Sequence, residues 1–441
     1  MARRAGLQPA RITGKMPVPP LEKNHVELGI RAGRLITPEE ENSDFFVAVE
    51  AGKIQSVEPF RQGMETRVGT FVDARDYAVI PGFIDLQING GLGHNFKTAD
   101  SGQRREVYRF FLHRGTTTLV PTVVTDKPAV LAGALSALAD DVGGGTGILP
   151  VSDQGGNHGQ DARATTDLPE IPGLHLEGPF LNPNRRGAHP VEHLRPPDLA
   201  LARELFVAAR GRIAILTLAP ELEESLPLIR WLAGAGVVVA AGHTMASCET
   251  VLCACDEGLS LVTHMGNVSD WPHRRKNAAG IFASEPGVVG AFMISDRLRG
   301  SVILDGYHLD PRLATALMRL RGPNSIALIS DASYATGCPP GDYDDGLIQT
   351  TVHPEGYAYV TGGGGWLAGS VITLEQAVRV AVEMGGAALR EAVEMATLTP
   401  ARVLGIEGRK GRIAPGFDAD LAFLDQHLDI KRVFRAGCEV A

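Results

Sequence analysis

The chain has no apolar run of about eighteen residues, the length a membrane-spanning helix needs, so none is expected. Its opening segment, MARRAGLQPARITGKMPVPP, carries basic side chains but no continuous apolar stretch, and a secretory signal is not expected either. Positive charge is short: 42 Lys and Arg stand against 51 Asp and Glu, and the net charge of −9 opposes long-range attraction to nucleic acid or an anionic membrane. An anionic ligand would therefore need a local basic site. Cysteine is scarce too. Cys248, Cys253, Cys255, Cys338 and Cys438 form an odd, scattered set, which fits a reduced, cytoplasmic protein rather than a disulfide framework. The first three share one helical stretch and are expected as buried thiols, because free cysteine packs as a small hydrophobe.

What remains is an ordinary globular composition, 44% apolar and 21% charged, in 441 residues, a length that favours one large domain with a smaller companion. Residues 1–25 read as a loose tail. Short β-type runs at 26–80 and again at 408–441 suggest a small antiparallel unit, and the two ends are expected to form one domain around a domain at 81–407. Within 81–407, apolar runs at 78–87, 117–124, 172–178, 212–218, 237–242, 259–264, 300–306 and 325–331 alternate with helical stretches such as REVYRFFLHRG, PAVLAGALSALADD and PRLATALMRLRG. That alternation predicts a closed parallel (β/α)8 barrel, with an open doubly wound sheet as the alternative. Residues 143–168, rich in Gly, Asp, Gln and Thr, read as a loop insertion whose His158 is solvated. The stretch from Leu374 to Ile406 reads as helical, with Thr399 as a cap before Pro400.

In such a barrel, side chains at the carboxyl ends of the strands converge on one mouth. The first run ends in Asp85, Gln87 and Asn89, which strand alternation places on one face, with Ile84, Leu86 and Ile88 on the other. Later runs end in Glu177, His243, His264, His308 and Asp331. Amides are poor ligands for a metal such as zinc, so any metal must use other side chains. Glu177, His243 and His264 supply a carboxylate and two imidazoles, a set that suits a catalytic metal with an open fourth position. Asp331 is then the expected base.

At these positions the chain resembles the N-acetylglucosamine-6-phosphate deacetylases of the amidohydrolase superfamily. The resemblance spans about residues 26–435 and rests on PGFIDLQING, HLEGPFLNPNRRGAH, TLAPE, AAGHT, THMGN, DGYH, SDA, LAGS, ATLTPARVLG and GFDADL. It implies a barrel carrying a small β-sandwich built from both chain ends, and hydrolysis of N-acetylglucosamine 6-phosphate to acetate and glucosamine 6-phosphate. Members with Gln and Asn in the first strand hold one divalent metal. The resemblance thus implies one ion, with zinc expected and iron or manganese as alternatives, on Glu177, His243 and His264. Asp331 is implied to take a proton from water and return it to the departing nitrogen.

Substrate contacts are implied for Gln87, Asn89, Ala188, His189, Asn267, Val268, His308, Leu367, Ala368 and Gly369. The GGGG run before Leu367 also fits a plain hairpin tip. Arg275 is implied as a phosphate ligand offered to the neighbouring subunit of a homodimer. There the chain departs from the family pattern: Val268 and Ser269 replace the usual Ala-Met, and an inserted WPHRRKNAAGIFAS precedes Glu285-Pro286-Gly287. HRRK also fits a solvated basic loop. Three alternative substrates remain: N-acetylgalactosamine 6-phosphate, an unphosphorylated acetamido sugar and an N-acyl amino acid. A non-catalytic scaffold is a further alternative.

Overall fold

The computed structural model describes residues 26–143, 166–269, 273–276, 282–363 and 365–440, and of 273–276 and 282–283 the backbone alone. The expected tail at 1–25, and His158 with nearly all of the insertion at 143–168, lie outside the described residues. Eight parallel strands pair in chain order: β1 Phe83–Ile88, β2 Thr116–Val124, β3 Leu174–Glu177, β4 Ile213–Leu218, β5 Val238–Ala241, β6 Leu259–Val262, β7 Arg299–Ile303 and β8 Ile326–Ile329. The edges meet. Asp331 N donates to Gln87 O at 3.0 Å and Asn89 N donates to Ala332 O at 2.8 Å, which closes β8 onto β1 and sets aside the open doubly wound sheet.

A helix follows each strand, from Ser101–Leu112 after β1 to Leu374–Glu383 after β8. The first starts at a capping box in which Asp100 accepts from Gln103 N while Gln103 accepts from Asp100 N, so two otherwise unsatisfied donors find partners. Helices and the outward faces of the strands share the main apolar core. A second cluster fills the barrel, with Ile84, Leu86, Val120, Ile215, Ala240, Leu261, Ile303, Ala327 and Ile329 drawn from seven strands. Ala401, Val403 and Leu404 of the short helix Leu398–Val403 plug it.

Five expectations need correction. Ile84 and Leu86 do not share a face with Ile88: the pairing of β1 with β2 shifts between Asp85 and Ile88, which moves Ile88 to the outer core. The run 78–87 is not one strand. Residues up to Pro81 belong to the strand Val68–Pro81 of a second sheet, and Gly82 makes the crossing where an added Cβ would lie 2.2 Å from Thr117 Oγ1. The helical stretch 374–406 breaks into three helices at Gly385-Gly386 and at Thr397. Thr397 rather than Thr399 precedes the last one, and Pro400 is tolerated within its first turn, where no backbone donor needs a helical acceptor. Finally, Cys248 and Cys255 are buried but Cys253 is exposed.

Both chain ends contribute to the second sheet, in the spatial order Cys438–Glu439, Ile430–Arg435, Leu421–Leu424, Val68–Pro81, Val26–Ile36, Glu41–Glu50, Lys53–Pro59. It is mixed, not purely antiparallel. The hairpin Glu41–Pro59 acts as a crossover, so Val68–Pro81 returns parallel to Val26–Ile36. Leu28, Ile30, Val47, Val79, Leu421, Phe423 and Phe434 form its core.

A buried ionic cluster ties this sheet to the barrel. Lys410 Nζ lies 2.5 Å from Asp420, 3.0 Å from Asp418 and 3.1 Å from Glu170, with Arg409 and Arg435 alongside. Burial would raise the pKa of Asp420, but Arg435 and Lys410 hold it well below the usual carboxylate range; burial is likewise outweighed at Glu170 by Arg409 and Lys410 and at Asp418 by Lys410 and Lys53, and both are lowered. Lys410→Ala leaves three carboxylates short of a buried cation and should cost about 3–5 kcal/mol, read as a lower denaturant midpoint. The carboxylates titrate lower in the folded than in the unfolded chain. Their contribution is therefore present above the ordinary range and lost as pH falls through the folded values, so the gap between wild type and variant should narrow below about pH 4.

Candidate metal centre

The strands deliver four ionisable groups to one end of the barrel. β3 ends on Glu177, while β5, β6 and β8 run into His243, His264 and Asp331, each two residues past the end of its strand. Those three residues adopt positive φ, at 49°, 30° and 47°. Left-handed backbone at non-glycine residues costs about 1–3 kcal/mol and persists where the surroundings over-determine it. Here it turns each side chain off the strand and over the barrel mouth. Gly242 lets the chain pass, since a Cβ there would lie 2.7 Å from Thr217 Cγ2. Below the mouth, His175 Nε2 meets Thr217 Oγ1 at 2.8 Å and Thr217 meets Thr263 at 2.7 Å, a polar layer that supports the groups above it.

Glu177 Oε1 lies 2.9 Å from His264 Nε2 and 3.3 Å from His243 Nε2, and the two Nε2 atoms are 3.2 Å apart. His243 Nδ1 is 2.9 Å from the Arg185 carbonyl, which can only accept, so Nδ1 carries the proton and Nε2 presents a lone pair to the cluster. Two imidazole nitrogens and a carboxylate oxygen thus converge with too few protons among them. All three ligand atoms lie within 4.8 Å of one another, and the set fits one divalent cation with a coordination position left open. Among the described residues this is the one group of acidic, histidine or cysteine side chains so arranged. Burial would raise Glu177, but the two imidazoles beside it, His243 and His264, hold its pKa well below the usual range.

Asp331 stands at the other side of the mouth. Burial, then the charge of Glu177, pushes its pKa up to about 6. Its Oδ1 accepts from Gln87 Nε2 at 3.0 Å and from Asn89 Nδ2 at 2.7 Å. A cavity of about 280 Å³ opens over these groups. Among the described residues around it there is no lysine or arginine.

The Amidohydrolase family model matches residues 78–440, most of the chain. The chain belongs to the amidohydrolase family. This amidohydrolase is 33% identical to an N-acetylglucosamine-6-phosphate deacetylase of Danio rerio, over 84% of the chain and 86% of the relative. It is 31% identical to an N-acetylgalactosamine-6-phosphate deacetylase of Escherichia coli O157:H7, over 92% and 98%. Among solved structures it is similar to a mutant N-acetyl-D-glucosamine-6-phosphate deacetylase of Mycobacterium smegmatis in complex with N-acetyl-D-glucosamine-6-phosphate. There the TM-score is 0.80 and the identity 31%, covering 94% of this chain and 99% of that one. Amidohydrolases are metal-dependent hydrolases of carbon–nitrogen bonds, and this chain is one.

Around the amidohydrolase cavity, Asn89, Ala188, His189, Asn267, Val268, His308, Leu367, Ala368 and Gly369 all line the wall. Gln87 does not. It is 1% exposed and spends its amide on Asp331, because the seam between β1 and β8 places the two side by side. His189 packs edge-on against His243 at 4.4 Å, and burial with repulsion from His243 pushes its pKa down to about 3, so it is a neutral imidazole. His308 Nδ1 sits 2.6 Å from Asp305 Oδ2. Arg275 lies on the strand His273–Lys276, which pairs with Phe282–Glu285; its side chain is outside the described residues.

Several wall residues escaped the sequence. Tyr334, Asp345, Ile348, Thr350 and Trp366 come from a three-stranded sheet, Gly341–Asp344, Gln349–Val352 and Ala358–Val360, and its flanks. The alternation in GDYDDGLIQTTV was its signal. Of the GGGG run, Gly362, Gly363 and Gly365 lie at the tip of that sheet's last turn, where Val360 N donates to Trp366 O at 2.9 Å, and Gly364 lies outside the described residues.

Gln87→Met removes a donor that stabilises ionised Asp331 without touching the cavity wall. The carboxyl pKa should rise, so the acid limb of the kcat/KM profile should move to higher pH; one unit corresponds to about 1.4 kcal/mol.

Proposed function

We propose that this amidohydrolase removes the acetyl group of N-acetylglucosamine 6-phosphate, giving acetate and glucosamine 6-phosphate, with one divalent ion held by Glu177, His243 and His264. The observation that carries this is the convergence of those three donors beside Asp331, in a chain whose relatives include deacetylases of this sugar phosphate. When bound, the cation supplies Lewis acidity, acidifying a water and drawing electrons from the amide carbonyl.

The protein's own groups do the rest. Gln87 and Asn89 both donate to Asp331 Oδ1, which leaves Oδ2 to take the proton of the attacking water. A pKa of about 6 lets the same carboxyl return that proton to the departing nitrogen, since neither transfer is strongly uphill near neutrality. His189, neutral and beside Glu177, can donate one N–H to the sugar or the carbonyl. Buried His175 and the threonine layer keep bulk water from beneath the ligands.

Phosphate needs a cation that the described wall lacks. We assign it to Arg275 on the His273–Lys276 hairpin, reaching the site of a second copy in a homodimer, because a guanidinium fork can bind two phosphate oxygens. Arg275→Ala should raise KM for the phosphorylated sugar about 10–100-fold, with little change for the neutral analogue. Equal effects on both would remove its role. Zinc suits the N/O donor set, with iron or manganese as alternatives that elemental analysis distinguishes. The five free cysteines favour a reducing, cytoplasmic setting.

The 31% identity to the E. coli O157:H7 relative makes N-acetylgalactosamine 6-phosphate the second substrate to weigh. Acetate release from both epimers, with and without 6-phosphate, tests the assignment. No turnover of either phosphorylated sugar would overturn it. Glu177→Ala should lose metal and activity together, whereas Asp331→Asn should keep the metal and lower kcat by about 10²–10⁴; an active Asn variant would remove Asp331 as the base.

A further inference from the structure

Glu221 ends the TLAPE segment, which starts in the last two residues of β4 and runs three residues beyond it. Its Oε1 accepts from Asn182 Nδ2 at 2.8 Å and from Met245 N at 2.6 Å, and its Oε2 accepts from the Thr244 hydroxyl. These partners are not arbitrary. Asn182 lies in the loop that leaves Glu177, while Thr244 and Met245 directly follow His243. Asn182 N also donates to His243 O at 3.0 Å, which closes a ring of hydrogen bonds through the loops after β3, β4 and β5.

His243 occupies left-handed backbone, so its direction depends on what holds the peptide groups on either side. His264 is held from the adjacent strand: His264 N donates to Ser301 Oγ and Met265 N to Ser301 O. Asp331 is held between Gln87 O and Ser370 N. At His243 the residues that follow are captured by a carboxylate side chain as well as by the backbone bridge from Thr244 to Ser269. One charged group takes a backbone N–H, a hydroxyl and an amide, and charge-assisted bonds of this kind are the strong ones.

We propose that Glu221 is a positioning residue: it holds His243 in its left-handed conformation and so keeps Nε2 directed at the metal position. The inference rests on His243 being a metal ligand, as proposed above. Removal of Glu221 should therefore act first on metal affinity and only through it on turnover.

The test uses full-length protein stripped by a chelator and titrated with zinc against a chromophoric competitor. Glu221→Ala should bind zinc about 10–100-fold more weakly than wild type, with far-UV circular dichroism unchanged. Glu221→Gln, which keeps one acceptor oxygen, should recover part of the loss. Glu223→Ala, an exposed neighbour, should match wild type. If Glu221→Ala does not fold, Thr244→Val, which deletes one bond of the ring, should weaken zinc by about fivefold. Affinity within twofold of wild type in Glu221→Ala, or in Thr244→Val where that stands in, overturns this inference alone. A wild-type protein that takes up no zinc overturns the metal-centre assignment and this inference with it.

Discussion

Closure of β8 onto β1 is the constraint on which the mouth of this barrel depends. The seam is short: two backbone hydrogen bonds join Gln87 and Asn89 to Asp331 and Ala332, and the side chains of the same residues meet across it. In an open sheet Asp331 would lie at one edge and β1 at the other. Closed, the sheet brings Asp331 to the same opening as Glu177 and the two histidines. Asp85, in the same seam, accepts from Gln87 N and Ser330 N and is pushed up to about 7 by burial, so the seam carries two carboxyls whose pKa values are raised.

The electrostatics follow from this burial. Three ionisable groups at the mouth, Glu177, Asp331 and His189, are removed from water, yet their pKa values move apart. Glu177 is held low by two imidazoles, Asp331 is raised by burial and by Glu177, and His189 is driven neutral. A carboxylate held ionised, a carboxyl that titrates near neutrality and a neutral imidazole emerge from side chains whose ordinary pKa values would not separate them so far. The left-handed backbone at His243, His264 and Asp331 belongs to the same economy of space. It aims three side chains inward from strands whose interior is already filled with aliphatic groups.

The second sheet and the ionic cluster around Lys410 lie away from the mouth. They join the strand Val68–Pro81 to β1 through Gly82, and the C-terminal segment to Glu170 just before β3. β1 and β3 carry the residues that orient Asp331 and the acidic member of the cluster. The packing of both chain ends therefore sets where these two strands begin.

Periodicity in the sequence was enough for eight strands and most of the helices between them, because each apolar run is bounded by polar residues and each intervening stretch repeats at helical spacing. It also brought forward Glu177, His243, His264 and Asp331 as candidates, because together they put one carboxylate, two imidazoles and a further carboxylate after the apolar runs of a single barrel. Local pattern could not show that β1 slips register after Asp85, that Gln87 serves Asp331 rather than the cavity, or that Glu221 ties three loops together. Nor could it place Asp345 and Trp366 on the wall. Each of these depends on which segments, tens to hundreds of residues apart, come within hydrogen-bonding distance. Side-chain sequence determined the alternation and the chemistry at the strand ends; closure of the barrel alone decided which groups meet, because contact distance is a property of the closed sheet and not of the chain.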